Sequence, residues 1–175
     1  MKKINLAILG CGFIVSDADE DPKKRHIYSH AKAISLIQKI QITACCDIDE
    51  AALNKFSKKY SIANKYTDLD EMFAEEVIDI LVVATPTKFH YDHVKKAFLN
   101  NINVVFCEKT LTYDLEQGIE ISNIAKNKNG LLVVNFMRRW DNFYIECNLT
   151  KQLKKDIDKG TIIYEDDYNI KNESF

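Results

Sequence analysis

Glu108 and Lys109 set a carboxylate and an ammonium side by side directly after the apolar run Val104 to Cys107. Such a pair suits redox chemistry at a sheet edge, and it equally suits a plain surface ion pair. Far upstream, Gly10-Cys11-Gly12-Phe13-Ile14-Val15 follows another apolar run as a Gly-x-Gly-x-x-Val loop. The first glycine permits a tight turn and the second lets backbone approach a pyrophosphate, while the third glycine of the dinucleotide fingerprint is missing. Alone, this loop is also an ordinary strand-to-helix turn. Asp47 strengthens the nucleotide reading, because a strand-end carboxylate can accept both hydroxyls of an adenosine ribose and would repel a 2′-phosphate. NAD is therefore favoured over NADP. Capping of a helix ahead of Asp49 is the structural alternative for Asp47.

Two further groups stand at the ends of apolar runs. Thr85-Pro86-Thr87 turns the chain after Ile78 to Ala84, and His90 opens the next helix, either as a cap or facing the glycine loop at a switch point. Arg139 and Trp140, in Phe136-Met137-Arg138-Arg139-Trp140-Asp141, either border the same cleft or cover the sheet edge. Metal ligation has weaker grounds. His26 with His30, His90 with His93, and Cys45 with Cys46 form pairs, but adjacent strand cysteines point to opposite faces and no Cys-x-x-Cys occurs.

Positioning these groups falls to apolar runs of strand length, Ile4 to Leu9, Ile42 to Cys46, Ile78 to Ala84, Val104 to Cys107 and Leu131 to Phe136, spaced by segments of helical period. Continuous apolar strands separated by helices predict an α/β fold, a doubly wound parallel sheet covered on both faces in three layers. Asp49 caps a helix through Tyr60, Thr67 with Asp70 starts a short one, and His90 to Asn100 forms another. Asp114-Leu115-Glu116-Gln117 reads as a capping box for a helix that carries Leu115, Ile119, Ile124 and Ala125 inward, and Asn129-Gly130 ends it. Gly12 and Asp47 lie 35 positions apart, against roughly 20 in the usual fingerprint. An insertion is implied. Ser16 to Arg25 lacks apolar periodicity and reads as a loop before a helix containing His30 to Ile37, either a solvated excursion or a rim beside a cofactor.

Composition sets the bounds. The 175 residues are 46% hydrophobic with a net charge of −2 from 24 basic and 26 acidic side chains intermixed, which offers no basic surface for nucleic acid. Five cysteines, an odd number and mostly in apolar runs, fit a reducing cytoplasm. Met1-Lys2-Lys3 before Ile4 to Val15 imitates a signal peptide, and Leu9-Gly10-Cys11 a lipoprotein site, yet the same residues serve as the first buried strand. No run reaches the roughly 18 to 20 apolar residues of a membrane span.

In this order, Gly-x-Gly, strand-end Asp, Ala-Thr-Pro-Thr-x-x-His, Cys-Glu-Lys and Met-Arg-Arg-Trp-Asp, the chain from Ile4 to about Ile163 resembles the Gfo/Idh/MocA oxidoreductases, the glucose-fructose oxidoreductase and inositol dehydrogenase family. The resemblance implies a Rossmann domain that binds NAD, with Lys109 against the nicotinamide ribose and the substrate hydroxyl as the catalytic lysine. It places Glu108 on the ribose or carboxamide side and Arg139 with Trp140 at the nicotinamide pocket. Thr110 stands where the family has proline. The implied division is a dinucleotide-binding domain over 1–141 and, over 142–175, a helix and short tail opening a substrate domain whose remainder is missing.

The family's acid/base histidine belongs to that second domain, whereas the histidines here are His26, His30, His90 and His93. On this reading the chain is a truncated gene product or one half of a protein whose second half is separately encoded. It is expected to be inactive in hydride transfer from a sugar, nucleotide-sugar or cyclitol hydroxyl without that half, or to be a non-catalytic NAD-binding or assembly module. A methyltransferase would also use a glycine loop and a strand-end acid, but would leave the Thr-Pro turn and the Glu-Lys pair without a use. Leu149, Leu153, Ile157, Ile162 and Ile163 are expected to drive formation of a homo-dimer or larger oligomer through about 143–165, or to leave that tail disordered if the acidic run Glu165 to Asp167 keeps it solvated.

Overall fold

The computed structural model describes residues 3–20 and 27–140, with Arg138 and Trp140 described in backbone only. The chain divides into two units, Met1–Asn135 and Phe136–Phe175. The cysteine Cys147, the domain expected over 142–175 and the association segment 143–165 lie outside the described residues.

Within the first unit, β1 (Ile4–Leu9), β2 (Ile40–Cys46), β3 (Asn64–Tyr66), β4 (Ile80–Val83), β5 (Val104–Cys107) and β6 (Leu131–Val134) form one sheet in the order β3-β2-β1-β4-β5-β6. Every neighbouring pair is parallel. This is the doubly wound Rossmann arrangement that the apolar runs predict. Strand side chains alternate between faces, so Leu6 and Ile8 enter one core while Ala7 and Leu9 enter the other. Val15, Ala31, Leu53 and Phe56, from α1 (Phe13–Ser16), α2 (His30–Ser35) and α3 (Glu50–Tyr60), fill the first core. Met72, Val94, Phe98 and Ile121, from α4 (Leu69–Glu75), α5 (His90–Leu99) and α6 (Leu115–Asn127), fill the second. Two covered faces make three layers.

One irregularity decides which β2 residues go where. The β1–β2 register pairs Leu6 with Ile42 but Ala7 with Ala44, leaving Thr43 as an extra residue. A bulge reverses the alternation beyond it, so Cys45 joins Ile40 and Ile42 in the first core while Ala44 and Cys46 enter the second. Cys11, Cys45, Cys46 and Cys107 are all buried free thiols.

Helix starts follow the expected chemistry with two corrections. Asp49 caps α3, accepting from the Ala51 and Ala52 amides, and Asp114 caps α6 by accepting from Gln117. The cap of α4 is Asp68, which accepts from Asp70 and Glu71, in place of Thr67. A carboxylate outcompetes a hydroxyl at that position because it also meets the positive end of the helix dipole. On α6 the inward face is Ile121 and Ala125, whereas Leu115 is 62% and Ile119 53% exposed. Position 121 with 125 is the i, i+4 pair nearest β5 and β6, and 115 with 119 lies on the opposite side of the turn. Asn129, at φ 51°, and Gly130, whose amide donates to the Ala125 carbonyl, close the helix.

Among the described residues, no helix is long and apolar enough to cross a membrane.

Candidate functional site

The register aligns Leu9 with Cys46 and with Val83, Val83 with Cys107, and Cys107 with Val134. Since all these strands run the same way, the residues after them leave from one edge of the sheet. That edge carries Gly10 to Gly12, Asp47, Ala84 to Thr87, Glu108 to Thr110 and Asn135. Strand order reverses between β1 and β4, and an open α/β sheet forms its ligand crevice at such a point.

Gly10 lies at that reversal with φ +93°, its amide donating to the Cys46 carbonyl at 2.9 Å. A Cβ on Gly10 would stand 2.7 Å from both the carbon and the oxygen of the Ala84 carbonyl. The glycine thus lets the loop after β1 pass directly over the end of β4. Gly12 differs, since a Cβ there would meet nothing within 4 Å. The space beside it is open. Phe13 and Ile14 form the first turn of α1, for which Gly12 is the cap.

Asp47 is tied to this loop. One carboxylate oxygen accepts from the Cys11 amide at 2.7 Å and the other from the Asp49 amide at 2.9 Å. Loop and acid therefore hold each other in register, and the cap of α3 is Asp49 itself. Each carboxylate oxygen has a further lone pair free for a hydroxyl donor.

Across the reversal, Thr85 and Pro86 lead into a single 3-10 turn, Thr87–Phe89, and then α5. His90 is 1% exposed, with Nδ1 2.7 Å from the Thr110 carbonyl oxygen and Nε2 2.7 Å from that of Thr85. It joins the turn after β4 to the turn after β5. His93, one helical turn on, meets the Thr85 hydroxyl through Nδ1 at 3.0 Å and stacks on Phe89. Burial pushes its pKa down, so its imidazole is biased to the neutral form.

The pair that opened the sequence reading separates by environment. Glu108 is 8% exposed. Its Oε1 lies 2.7 Å from His30 Nε2 and accepts from Asn135 Nδ2 at 2.7 Å, and its Oε2 accepts from the Lys109 amide at 3.2 Å. Lys109 is exposed, and the Lys109–Thr110 peptide is cis. Burial pushes the Glu108 pKa upward, but the bonds from His30 and Asn135 outweigh it and hold this carboxyl below its ordinary value.

A carboxylate with a lowered folded pKa stabilises the fold fully above the ordinary glutamate value, and that stability is lost as pH falls through the folded value. Acid unfolding followed by circular dichroism should therefore show Glu108→Gln losing less stability than wild type between about pH 5 and pH 3.

Three contributors had no assigned role in the sequence reading. His30 was a helix residue or half of a metal pair, His93 likewise, and Asn135 had no part. A signal for Asn135 existed, because residues one step beyond neighbouring parallel strand ends stand side by side and Glu108 has the same offset. Arg139 and Trp140 lie in the second unit, in the 3-10 turn Met137–Trp140, where the Arg139 amide donates to the Phe136 carbonyl. The Trp140 side chain lies outside the described residues. Among the described residues no group of three or more His, Cys, Asp or Glu side chains is placed to hold a metal ion.

Residues 4–136 match the model of the Gfo/Idh/MocA family, described as oxidoreductases with an NAD-binding Rossmann fold. The chain belongs to this family. It is 31% identical over 165 residues to inositol 2-dehydrogenase from Salmonella typhimurium, covering 91% of this chain and 43% of that one. The crystal structure of myo-inositol 2-dehydrogenase from Lactobacillus plantarum superposes with a TM-score of 0.68 at 28% identity, over 91% of this chain and 42% of that one. The WlbA dehydrogenase from Chromobacterium violaceum, solved in complex with NADH and UDP-GlcNAcA, gives 0.64 at 25% identity, over 77% of this chain and 35% of that one. The chain thus spans less than half the length of these relatives.

Proposed function

We propose that this chain is the cofactor-binding part of an NAD-dependent dehydrogenase that oxidises a hydroxyl on a sugar, nucleotide sugar or cyclitol. The observation that carries the reading is the Asp47 carboxylate bonded to the Cys11 amide of the glycine loop at the strand-order reversal. Relatives named for inositol, and one solved with a UDP-sugar acid, favour a polyhydroxylated ring as substrate class.

The residues fit a dinucleotide. Open space over Gly12 leaves room for a pyrophosphate against the first turn of α1, where Phe13 and Ile14 stand at a helix N-terminus. Asp47 would accept the adenosine ribose hydroxyls with its spare lone pairs. Thr85, Pro86 and Thr87 would form the opposite wall, with His90 fixing it from behind. A bound nicotinamide ring supplies the hydride acceptor. Lys109 would place its ammonium near the substrate oxygen and ease loss of the hydroxyl proton by stabilising the developing negative charge. Glu108, already engaged by three groups, would hold the turn from below.

Titration calorimetry of the chain with NADH and NADPH tests this reading. NADH is expected to bind at least about tenfold more tightly, because a 2′-phosphate would meet the Asp47 carboxylate. Asp47→Asn should weaken NADH by about 1–3 kcal/mol and narrow the preference. Equal affinity of the wild-type chain for the two would overturn the assignment of Asp47.

A further inference from the structure

Glu108 and Lys109 adjoin in sequence, yet one is buried and the other exposed, and the Lys109 amide also donates a hydrogen bond to Glu108 Oε2. Beside the hold that His90 has on the Thr110 carbonyl, that bond ties the Lys109 peptide to the Glu108 carboxylate. Its other oxygen, Oε1, has both lone-pair positions taken, by His30 Nε2 and Asn135 Nδ2, each at 2.7 Å. Asn135 is fixed by the sheet, its amide donating to the Cys107 carbonyl at 2.8 Å. His30 is not on the sheet.

His30 opens α2, directly after the insertion that follows α1. Asp19 accepts from the amides of Tyr28 and Ser29 and from the Ser29 hydroxyl, so the two stems of the insertion are joined by one carboxylate. Ser29 in turn caps α2 through the Lys32 amide, and His30 is the first residue of that helix. The near stem is anchored to α3, where Lys55 meets Asp17 at 2.7 Å and Lys59 meets Glu20 at 3.0 Å and the Ser16 carbonyl at 2.8 Å. The His30 ring stands edge-on to Phe106, with centroids 5.4 Å apart, which leaves Nε2 pointing at Glu108. The path from Asp19 to Lys109 thus runs through Ser29, His30 and Glu108.

We propose that His30 is a positioning residue for the Glu108–Lys109 turn, and that Asp19, through Ser29, sets His30 in place. The described stems of the insertion, with Asp19 on one and Ser29 on the other, are thereby part of the apparatus that aims Lys109. The proposal rests on the reading above, in which this turn faces the nicotinamide end of the cofactor and Asp47 the adenosine end. That separation supplies the test, since ADP-ribose carries the adenosine end and the pyrophosphate but no nicotinamide.

Affinities of the full chain for NADH and ADP-ribose would be measured for wild type, His30→Leu, His30→Gln, His30→Asn and Asp19→Asn, with thermal melting of each. Glutamine places an N–H donor about where histidine Nε2 lies, and asparagine does not reach. His30→Leu and His30→Asn should lose on the order of tenfold in NADH affinity with ADP-ribose within about twofold of wild type. His30→Gln should restore NADH binding, and Asp19→Asn should show the same selective loss in smaller measure. A variant that weakens both ligands equally, or neither, overturns the proposal. If His30→Leu fails to fold, His30→Gln against His30→Asn and Asp19→Asn decide the matter. Wild type binding ADP-ribose as tightly as NADH overturns the role given to this turn while leaving the adenosine end standing, and binding of neither ligand overturns the cofactor reading together with the proposal.

Discussion

Gly10→Ala is expected to lower stability by about 3–5 kcal/mol, because two independent penalties fall on one atom. The residue sits at φ +93°, where an L side chain is strained, and its new Cβ would lie 2.7 Å from the carbonyl carbon and oxygen of Ala84 and 2.9 Å from the Thr85 amide. All three are backbone atoms, and the carbon and the amide belong to the peptide that leaves β4. The loop after β1 would have to lift from the end of β4, breaking the Gly10 amide bond to Cys46 and the Cys11 amide bond to Asp47.

Gly12→Ala makes the contrast. Its Cβ meets nothing within 4 Å and its φ is −79°, so stability should change by less than about 1 kcal/mol. That methyl would stand in the space assigned to a pyrophosphate, and NADH affinity should fall on the order of tenfold or more. Thermal melting and NADH titration of both variants read the two effects separately. A Gly10→Ala chain that melts within about 2 °C of wild type, or a Gly12→Ala chain with undiminished NADH binding, would refute the corresponding half.

Why these positions were legible from residues alone, and others were not, follows from what each is made of. Apolar strands covered on both faces announce themselves, so β1 and β5 lie where their runs lie. The strand β3 is Asn64-Lys65-Tyr66, short and polar, at the sheet edge, and only its pairing with Ala44 to Cys46 makes it a strand. Thr43 reads as one polar residue in an apolar run, and its being a bulge depends on the partner register. On α6 an apolar count cannot tell Ile119 from Ile121, since the choice is made by where the helix crosses the sheet.

The site divides in the same way. Glycine turn, strand-end acid and Glu-Lys pair are written in residue type and position along the strands. The partners of Glu108 are not, because His30 is 78 positions away and Asn135 27, separations that residue type and spacing do not connect. Spacing sets His90 and His93 three positions apart, and both meet Thr85. What it could not convey is that the first engages two carbonyls and the second one hydroxyl.

His90→Leu carries the other large expected effect, and its argument begins with the donors. The two atoms facing the ring nitrogens are carbonyl oxygens, which only accept. Leucine fills much of the volume and supplies neither donor. The Thr85 and Thr110 carbonyls then lose a shared partner, and the two turns on either side of the proposed nicotinamide end lose their direct tie. A cost of about 2–4 kcal/mol is expected for two unmet acceptors around a fully buried position.

His90→Gln supplies a single nitrogen where the ring presents two, so it should recover only part of that stability. The same variants should weaken NADH more than ADP-ribose if the Thr110 turn faces the nicotinamide, as proposed above. Equilibrium urea unfolding gives the stability change and ligand titration the asymmetry. A His90→Leu chain as stable as wild type would mean that the two carbonyls find water instead, and that His90 fills space without holding the turns together.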